Sequence, residues 1–353
     1  MTFWDIYDSI LKEDSKWNPN PHLKVECNLE KIFDYPHSYN FIFELFFGDC
    51  NFRSLAIELY KRSTDIMKER LKHTVSLYLL GIYVASKIGF EKFSINEWDK
   101  NSSRNFLHYW LAICLFHDIG YSIEMDKEKY DISKLETLDD FVKHLGLRFD
   151  LRNVCDEKLL NAYYSFRTKK MKSVDHGIVG AMLMYDSLMN REEKNADIAK
   201  TAIVISEKPI CGNMLKEDFA ECSFLIAKHN MWFANTFCKK IAYRKMGLQQ
   251  LIGKTNSVMF EDSPMLFLLC LLDTIEPLKA NNGNPRDILN KIELNCKSGS
   301  LIILDNDERH ILKRAKGLKQ WMGVNVLSLE KNKIEIRFNQ RRENANKEID
   351  RYL

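Results

Sequence analysis

The dipeptide His117-Asp118 closes the apolar run Leu111-Ala112-Ile113-Cys114-Leu115-Phe116 and is followed by Ile119-Gly120. Two polar, metal-competent side chains therefore stand at the end of a helix that must be buried. Buried polar groups need partners. A cation satisfies an Asp and a His together, and a helix-end Asp–His hydrogen bond does so without one. The dipeptide alone leaves both readings open.

Four further residues bear on the choice. His73 lies in Leu71-Lys72-His73-Thr74-Val75, on an amphipathic stretch. His176 lies in Asp175-His176-Gly177-Ile178-Val179-Gly180-Ala181, a helix start whose small residues permit close packing. His229 follows the apolar run Phe224-Leu225-Ile226-Ala227, and Asp273 follows Leu266 to Leu272, all apolar. A single His is more often a satisfied core residue than a ligand. An Asp after such a run is poorly explained by the surface; an N-cap or a buried salt bridge is its plainer alternative. Imidazole and carboxylate without thiolate suit Mn, Fe, Co, Ni or Zn, with Mg less favoured. Such ions lower the pKa of water and offset phosphoryl charge, and two ions about 3.5–4 Å apart do both in one site.

The order His73, His117-Asp118-Ile119-Gly120, Asp175-His176-Gly177, His229 and Asp273 resembles the HD-domain superfamily of metal-dependent phosphohydrolases, over roughly residues 55–290. The resemblance implies a mainly α, HD-type helical bundle with the ligands facing a central cavity. It implies a first metal held by His73, His117, Asp118 and Asp273. In binuclear members Asp118 would bridge to a second metal on His176 and His229. Asp118, His176 and His229 are the expected catalytic residues. The chain departs from the cyclic-dinucleotide phosphodiesterase members at Tyr121, where many have Lys, and at His229-Asn230, where they have a His pair. It also lacks their Gly-Tyr-Pro signature. The nucleotidase, triphosphohydrolase and CRISPR-associated nuclease branches stay open.

Expected substrate contacts are Lys172, Asn230 and Tyr121. Lys172 ends the basic run Arg167-Thr168-Lys169-Lys170-Met171-Lys172, four residues before His176, so a continuous helix would put both on one face. A solvated face is the commoner origin of such a run. Lys279 and Arg286 are weaker candidates of the same kind. Trp232 to Lys254 mixes aromatics with Lys239, Lys240, Arg244 and Lys245, which suits a base and its phosphates, or ordinary packing.

These residues need helices to position them. Helical spacing runs from Ser54 to Gly89 with a break expected near Leu71. Ser102 and Ser103 offer caps for a helix to about Asp118, with Gly120 as its stop. Further helices are expected at Asp175–Met189, Asp197–Glu207 and Ala220–Asn230. Ser263-Pro264 is a cap and first-turn pair for another, through Thr274, that Pro277 should end. After the loop Asn281-Asn282-Gly283-Asn284-Pro285 the character changes. Leu301–Leu304 reads as a strand and Asp305–Met322 as a helix. Val324–Leu327 with Ile334–Phe338 reads as a hairpin, and residues 340–353 as a charged tail. The expected division is an N-terminal helical extension (1–54), the HD domain (55–292) and a small C-terminal α/β appendage (293–353).

The whole composition sets bounds. The chain has 353 residues, 45% hydrophobic and 29% charged, with 12% aromatic residues that argue against disorder. A net charge of +3 gives no global pull toward nucleic acid or an anionic membrane. The first residues carry Asp5 and Asp8 and no basic segment, unlike a secretory signal. The longest apolar run, Phe106–Phe116, is too short to span a bilayer. Nine Cys without CxxC spacing point to a reduced, cytoplasmic chain. The leading expectation is a phosphohydrolase using one or two divalent transition metal ions on a small phosphorylated substrate such as a nucleotide. Its rivals are a nuclease on single-stranded nucleic acid, which near-zero net charge disfavours, and a silent nucleotide- or metal-binding sensor.

Overall fold

The computed structural model describes residues 1–19, 25, 27–47, 65–88, 106–125, 130–131, 134–201, 216–231, 237–248, 258–260, 263–280, 283–297, 300–305, 307, 318, 322, 325–330 and 333–337. The protein is mainly helical, with a small antiparallel sheet near the C-terminus. The helices are α1 (Phe3–Leu11), α2 (Asp14–Trp17), α3 (His37–Phe47), α4 (Asp65–Ile88), α5 (Phe106–Phe116), α6 (Tyr121–Glu124), α7 (Leu138–Leu145), α8 (Glu157–Phe166), α9 (His176–Thr201), α10 (Lys216–Lys228), α11 (Phe237–Lys245), α12 (Pro264–Ile275) and α13 (Pro285–Lys291). The strands are β1 (Ile292–Lys297), β2 (Ser300–Asp305), β3 (Asn325–Glu330) and β4 (Lys333–Arg337), in the order β1-β2-β4-β3.

Two helices form the dry centre. In α5 every residue but His108 is buried, and α12 buries Met265 to Leu272 without interruption. A helix apolar on all sides can only be a core helix. Pro264 sits in the first turn of α12, and the helix stops two residues before Pro277, which could not supply the next backbone donor. Ser263 stands at the cap position but its side chain makes no capping bond. Helix α4 crosses α5, where Trp110 Nε1 donates to the Tyr78 carbonyl at 3.0 Å. The N-terminal residues join the same core: Phe3, Ile6 and Tyr7 are fully buried, and the Tyr7 hydroxyl pairs with Ser76 Oγ at 2.8 Å.

Several expectations change. Helix α4 runs through Leu71 unbroken, since no Gly or Pro lies between Asp65 and Leu80; residues 54–64 lie outside the described ones. The two helices expected over Asp175–Met189 and Asp197–Glu207 are one up to Thr201, because Asn190 to Ala196 contain no breaker; residues 202–207 are not described. The proposed caps Ser102 and Ser103 lie outside the described residues, as do most of Asp305–Met322, Val324, Phe338 and the tail. The β3–β4 hairpin is present, with a register shift between Val326 and Ser328. Strand β1 was not expected, although Ile292, Leu294 and Cys296 are buried and alternate with exposed neighbours, the period of a half-buried strand. Helix α13 was likewise not expected, yet Asn284 Oδ1 accepts from the Arg286 amide and Pro285, read as the end of a loop, opens the first turn. Among the described residues no helix is long and apolar enough to cross a membrane.

Gly120 does not stop α5 in a left-handed turn. Its backbone is right-handed helical (φ −65°) and it leads into α6. Its smallness serves a close approach instead: a Cβ there would lie 2.1 Å from the His176 carbonyl oxygen and 2.8 Å from the Gly180 nitrogen. Gly180 answers from α9, where a Cβ would lie 2.6 Å from the Phe116 carbonyl oxygen. The start of α9 thus lies against the turn that carries His117 and Asp118. Gly120→Ala is expected to cost about 3 kcal/mol, the upper range for overpacking a tight core. Denaturant unfolding checks this, and an unchanged midpoint would contradict the close approach.

Candidate metal centre

Helix ends bring the six residues together. His117 and Asp118 follow the last turn of α5, Asp273 lies in the last turn of α12, and His229 follows α10. His176 is the first residue of α9, and His73 lies on α4. The C-terminal ends of α5, α10 and α12 point partial negative charge at this place, which favours a cation. His73, His117, Asp118, His176 and His229 are buried, and the Asp273 side chain keeps 12% exposure.

Their donor atoms form two adjacent groups that could each hold a metal ion. One is His73, His117 and Asp273; the other is Asp118, His176 and His229; within each, the ligand atoms lie within 4.8 Å of one another. In the first, His73 Nε2 is 3.2 Å from His117 Nε2 and 3.0 Å from Asp273 Oδ1. Asp118 stands between the groups: Oδ1 is 3.4 Å from His117 Nε2 and 3.7 Å from His176 Nε2, while Oδ2 is 3.7 Å from His73 Nε2.

Each imidazole is oriented through its other nitrogen. Nδ1 of His117 donates to the Cys114 carbonyl at 2.8 Å, and Nδ1 of His229 to the Ile226 carbonyl at 2.6 Å. Carbonyls only accept, so the proton is on Nδ1 and the Nε2 lone pair faces the centre. His73 Nδ1 meets Glu276 Oε2 at 2.7 Å, and His176 Nδ1 meets Glu124 Oε2 at 2.6 Å. Holding the far nitrogen of a His on a carbonyl or carboxylate is how proteins aim it at a metal. Two buried acceptors, Asp118 Oδ1 and His229 Nε2, have no hydrogen-bond partner among the described residues. Two lone-pair atoms cannot satisfy one another, and a cation satisfies both.

Charge supports the same reading. The network joins five carboxylates (Asp118, Glu124, Asp175, Asp273, Glu276) to three permanent cations (Arg70, Arg167, Lys279). Among the described residues one negative charge remains with His73 protonated, and two with every imidazole neutral, as ligation requires. Burial alone would raise the Asp118 carboxyl, but His117, Lys279, His73 and Arg70 hold it well below its ordinary range. Burial disfavours the His73 imidazolium, yet its bonds to Asp273 and Glu276 raise it to about 9. Burial, with the neighbouring His176 and His117, lowers His229 to about 4.

Sequence reasoning missed Arg70, Glu124 and Glu276. Arg70 Nη1 lies 3.2 Å from Asp118 Oδ2, and its place three residues before His73 on one helix was a usable signal. Glu276 lies one turn past Asp273. Nothing in the spacing marked Glu124, which reaches His176 from the separate helix α6.

The expected substrate contacts fare differently. Lys172 does not share a face with His176: a π-helical turn, Arg167–Met171, ends in Lys172 with left-handed backbone (φ 54°), and α9 begins only at His176. The chain break removes the four-residue relation, and Lys172 is exposed. Arg167 is no solvated residue, since its guanidinium lies between Glu124 Oε1 (2.9 Å) and Asp175 Oδ2 (3.4 Å). Tyr121 stacks on His176, centroids 3.7 Å apart, and Arg70 lies 4.1 Å from its ring centre. The Asn230 amide reaches His176 Nε2 at 2.7 Å. Arg286 pairs with Glu30 on the surface. Within Trp232–Lys254, residues 232–236 and 249–254 are not described.

No protein-family model, curated protein or solved structure matches the chain. What the centre does must follow from its own donor set.

Two measurements test it. In protein stripped by chelation, His73 keeps its second ring proton to about pH 9, and ligation through Nε2 requires its loss. Ion binding at neutral pH should release about one proton and tighten about tenfold per pH unit toward 9. The raised pKa also means that the imidazolium stabilises the stripped fold fully below about 6.5, a contribution lost as pH rises through about 9. Calorimetry in buffers of different ionisation heat reads the proton; none released would remove His73 as a ligand. Second, element-specific quantification should find about two ions per chain, and about one after His176→Ala plus His229→Ala. An unaltered ratio would remove the second group.

Proposed function

We propose that the chain is a metal-dependent phosphohydrolase of the HD type, hydrolysing a nucleotide or another phosphate ester. The observation that carries this reading is the pair of adjacent groups of two His and one Asp, with Asp118 between them and its Oδ1 unpartnered. Four imidazoles and two carboxylates, with no thiolate, favour Mn, Fe, Co, Ni or Zn over Mg. Bound there, such ions supply Lewis acidity, bringing water toward ionisation at neutral pH and offsetting charge on a phosphoryl oxygen.

The chain's own residues complete the site. Arg70 and Lys279 are the cations at its solvent side, with 23% and 27% side-chain exposure. An anionic ester would meet them on entry, and Arg's planar fork suits phosphate. Two divalent ions would turn the two surplus negative charges into two positive ones, which again favours an anion. His176, its Nδ1 proton fixed on Glu124, offers Nε2 for a ligand bond or for proton transfer to the departing oxygen once the Asn230 amide yields it. Tyr121 and Asn230 hold the His176 ring from its face and its Nε2 edge, so they position it for either task.

Purified protein reconstituted with Mn, Ni, Co, Zn or Mg and offered nucleotides, a generic phosphodiester and single-stranded oligonucleotides tests the proposal. Asp118→Ala should lower turnover by more than about 100-fold, beyond the loss of an orienting partner, while the fold persists. Cleavage of oligonucleotides alone would favour the nuclease reading. Bound ions without any turnover would favour a silent sensor. Full activity in folded, ion-free Asp118→Ala protein would overturn the metal mechanism.

A further inference from the structure

The two groups are not equally open to an ion. In the second, Asp118 Oδ1 and His229 Nε2 are unpartnered, His176 Nε2 meets only the neutral Asn230 amide, and Arg70 touches only the far oxygen Oδ2. In the first, the Lys279 ammonium lies 2.5 Å from both oxygens of Asp273. The carboxylate that would serve an ion already holds a cation with both oxygens.

The backbone of Lys279 is fixed by a second carboxylate, and its side chain is held only through the ammonium. Glu276 accepts from the Leu278 and Lys279 amides at 2.8 Å each, and the same carboxylate takes His73 Nδ1. The turn after α12 is therefore clamped to the centre, with Pro277 ending the helix so that the chain folds back. From that anchor a four-carbon stem reaches Asp273, and the side chain keeps 27% exposure. Lys is a compact charge on a flexible stem, suited to leaving and returning.

We propose that Lys279 is a tethered surrogate cation for the first group: it holds Asp273 until an ion displaces it. The inference rests on the metal-centre reading above. It has a directional consequence, because the group of Asp118, His176 and His229, where no cation holds the facing carboxylate oxygen, fills first. The group of His73, His117 and Asp273 fills second and more weakly. That order reverses the one implied by the family resemblance, in which the first metal belongs to His73, His117, Asp118 and Asp273. The centre would be half-loaded at low ion concentration and complete only when the ion outcompetes the ammonium.

Calorimetric titration of stripped full-length protein with Co or Mn tests the order and its cause. Wild type should bind in two steps, and His176→Ala plus His229→Ala should lose the tighter one. Lys279→Met should tighten the weaker step by about tenfold or more, the worth of a charge-assisted hydrogen bond. Lys279→Arg keeps a cation with a bidentate grip on Asp273, so its weaker step should be no tighter than wild type. A weaker step unchanged or weakened in folded Lys279→Met overturns the inference while leaving the metal centre intact. Should Lys279→Met not fold, a weaker step tightened in Lys279→Arg overturns it instead. Absence of any ion binding by wild type sinks the metal-centre reading itself. Loss of the weaker step in the His176/His229 double variant reverses the order.

Discussion

Two carboxylates and four imidazoles stand where the driest helices of the core end, and so many ionisable groups cannot be buried unpaired. The surroundings answer that constraint. Glu124 and Glu276 each take one imidazole proton, Arg70 and Lys279 each take one carboxylate, and Arg167 takes Glu124 and Asp175 together. Even so, Asp118 Oδ1 and His229 Nε2 are left over. Both leftover atoms at the middle are lone-pair acceptors, the pattern expected of a place that could take a cation rather than of a buried salt-bridge network closed on itself.

The same constraint explains the local backbone. Helix α9 must start where His176 can face Asp118, and Asp175 caps it by accepting from the Gly177 and Ile178 amides. Asp175 is wholly buried, so its charge requires Arg167. A straight continuation of α8 would run on past this place. The extra residue per turn of the π-helical segment and the left-handed Lys172 turn the chain instead. A non-glycine residue held left-handed costs free energy that the surrounding contacts must outweigh.

Much of this was legible in the sequence, and the limits are physical. Apolar runs that give way to polar residues located His117-Asp118, His229 and Asp273, because the cost of burying charge makes such an ending informative. Helix identity was legible wherever apolar periodicity was long, as in α5 and α12. The orienting carboxylates were not, because Glu124 and Glu276 act across helices, and one Glu among many carries no mark of its partner. Lys172 was misread because an (i, i+4) argument presumes a continuous helix. Strand β1 was missed although Ile292-Glu293-Leu294-Asn295-Cys296-Lys297 alternates cleanly, since six residues beside a helix offer little contrast. The grouping of ligands into two triples was also beyond spacing, which orders residues along the chain and not around a point.

The segment that leaves the centre shows how distant parts of the fold bear on it. Within a few residues the chain supplies a ligand candidate at Asp273, the orienter of His73 at Glu276 and a cation at Lys279, then enters α13 and β1. Strand β1 is tied to the N-terminus, where the Leu294 amide donates to the Met1 carbonyl at 2.9 Å and Thr2 bridges Glu293. The N-terminal helix α1 in turn reaches α4 through Tyr7 and Ser76, one turn beyond His73. The path from Asp273 therefore closes on the helix that carries His73, by way of the sheet and the chain's first residues. A turn held only by Glu276 could swing with its ligand; one closed into such a ring is held at both ends. The backbones that carry the donors are thus tied to one another through the fold, and Lys279 and Arg70 stand at the centre's solvent edge.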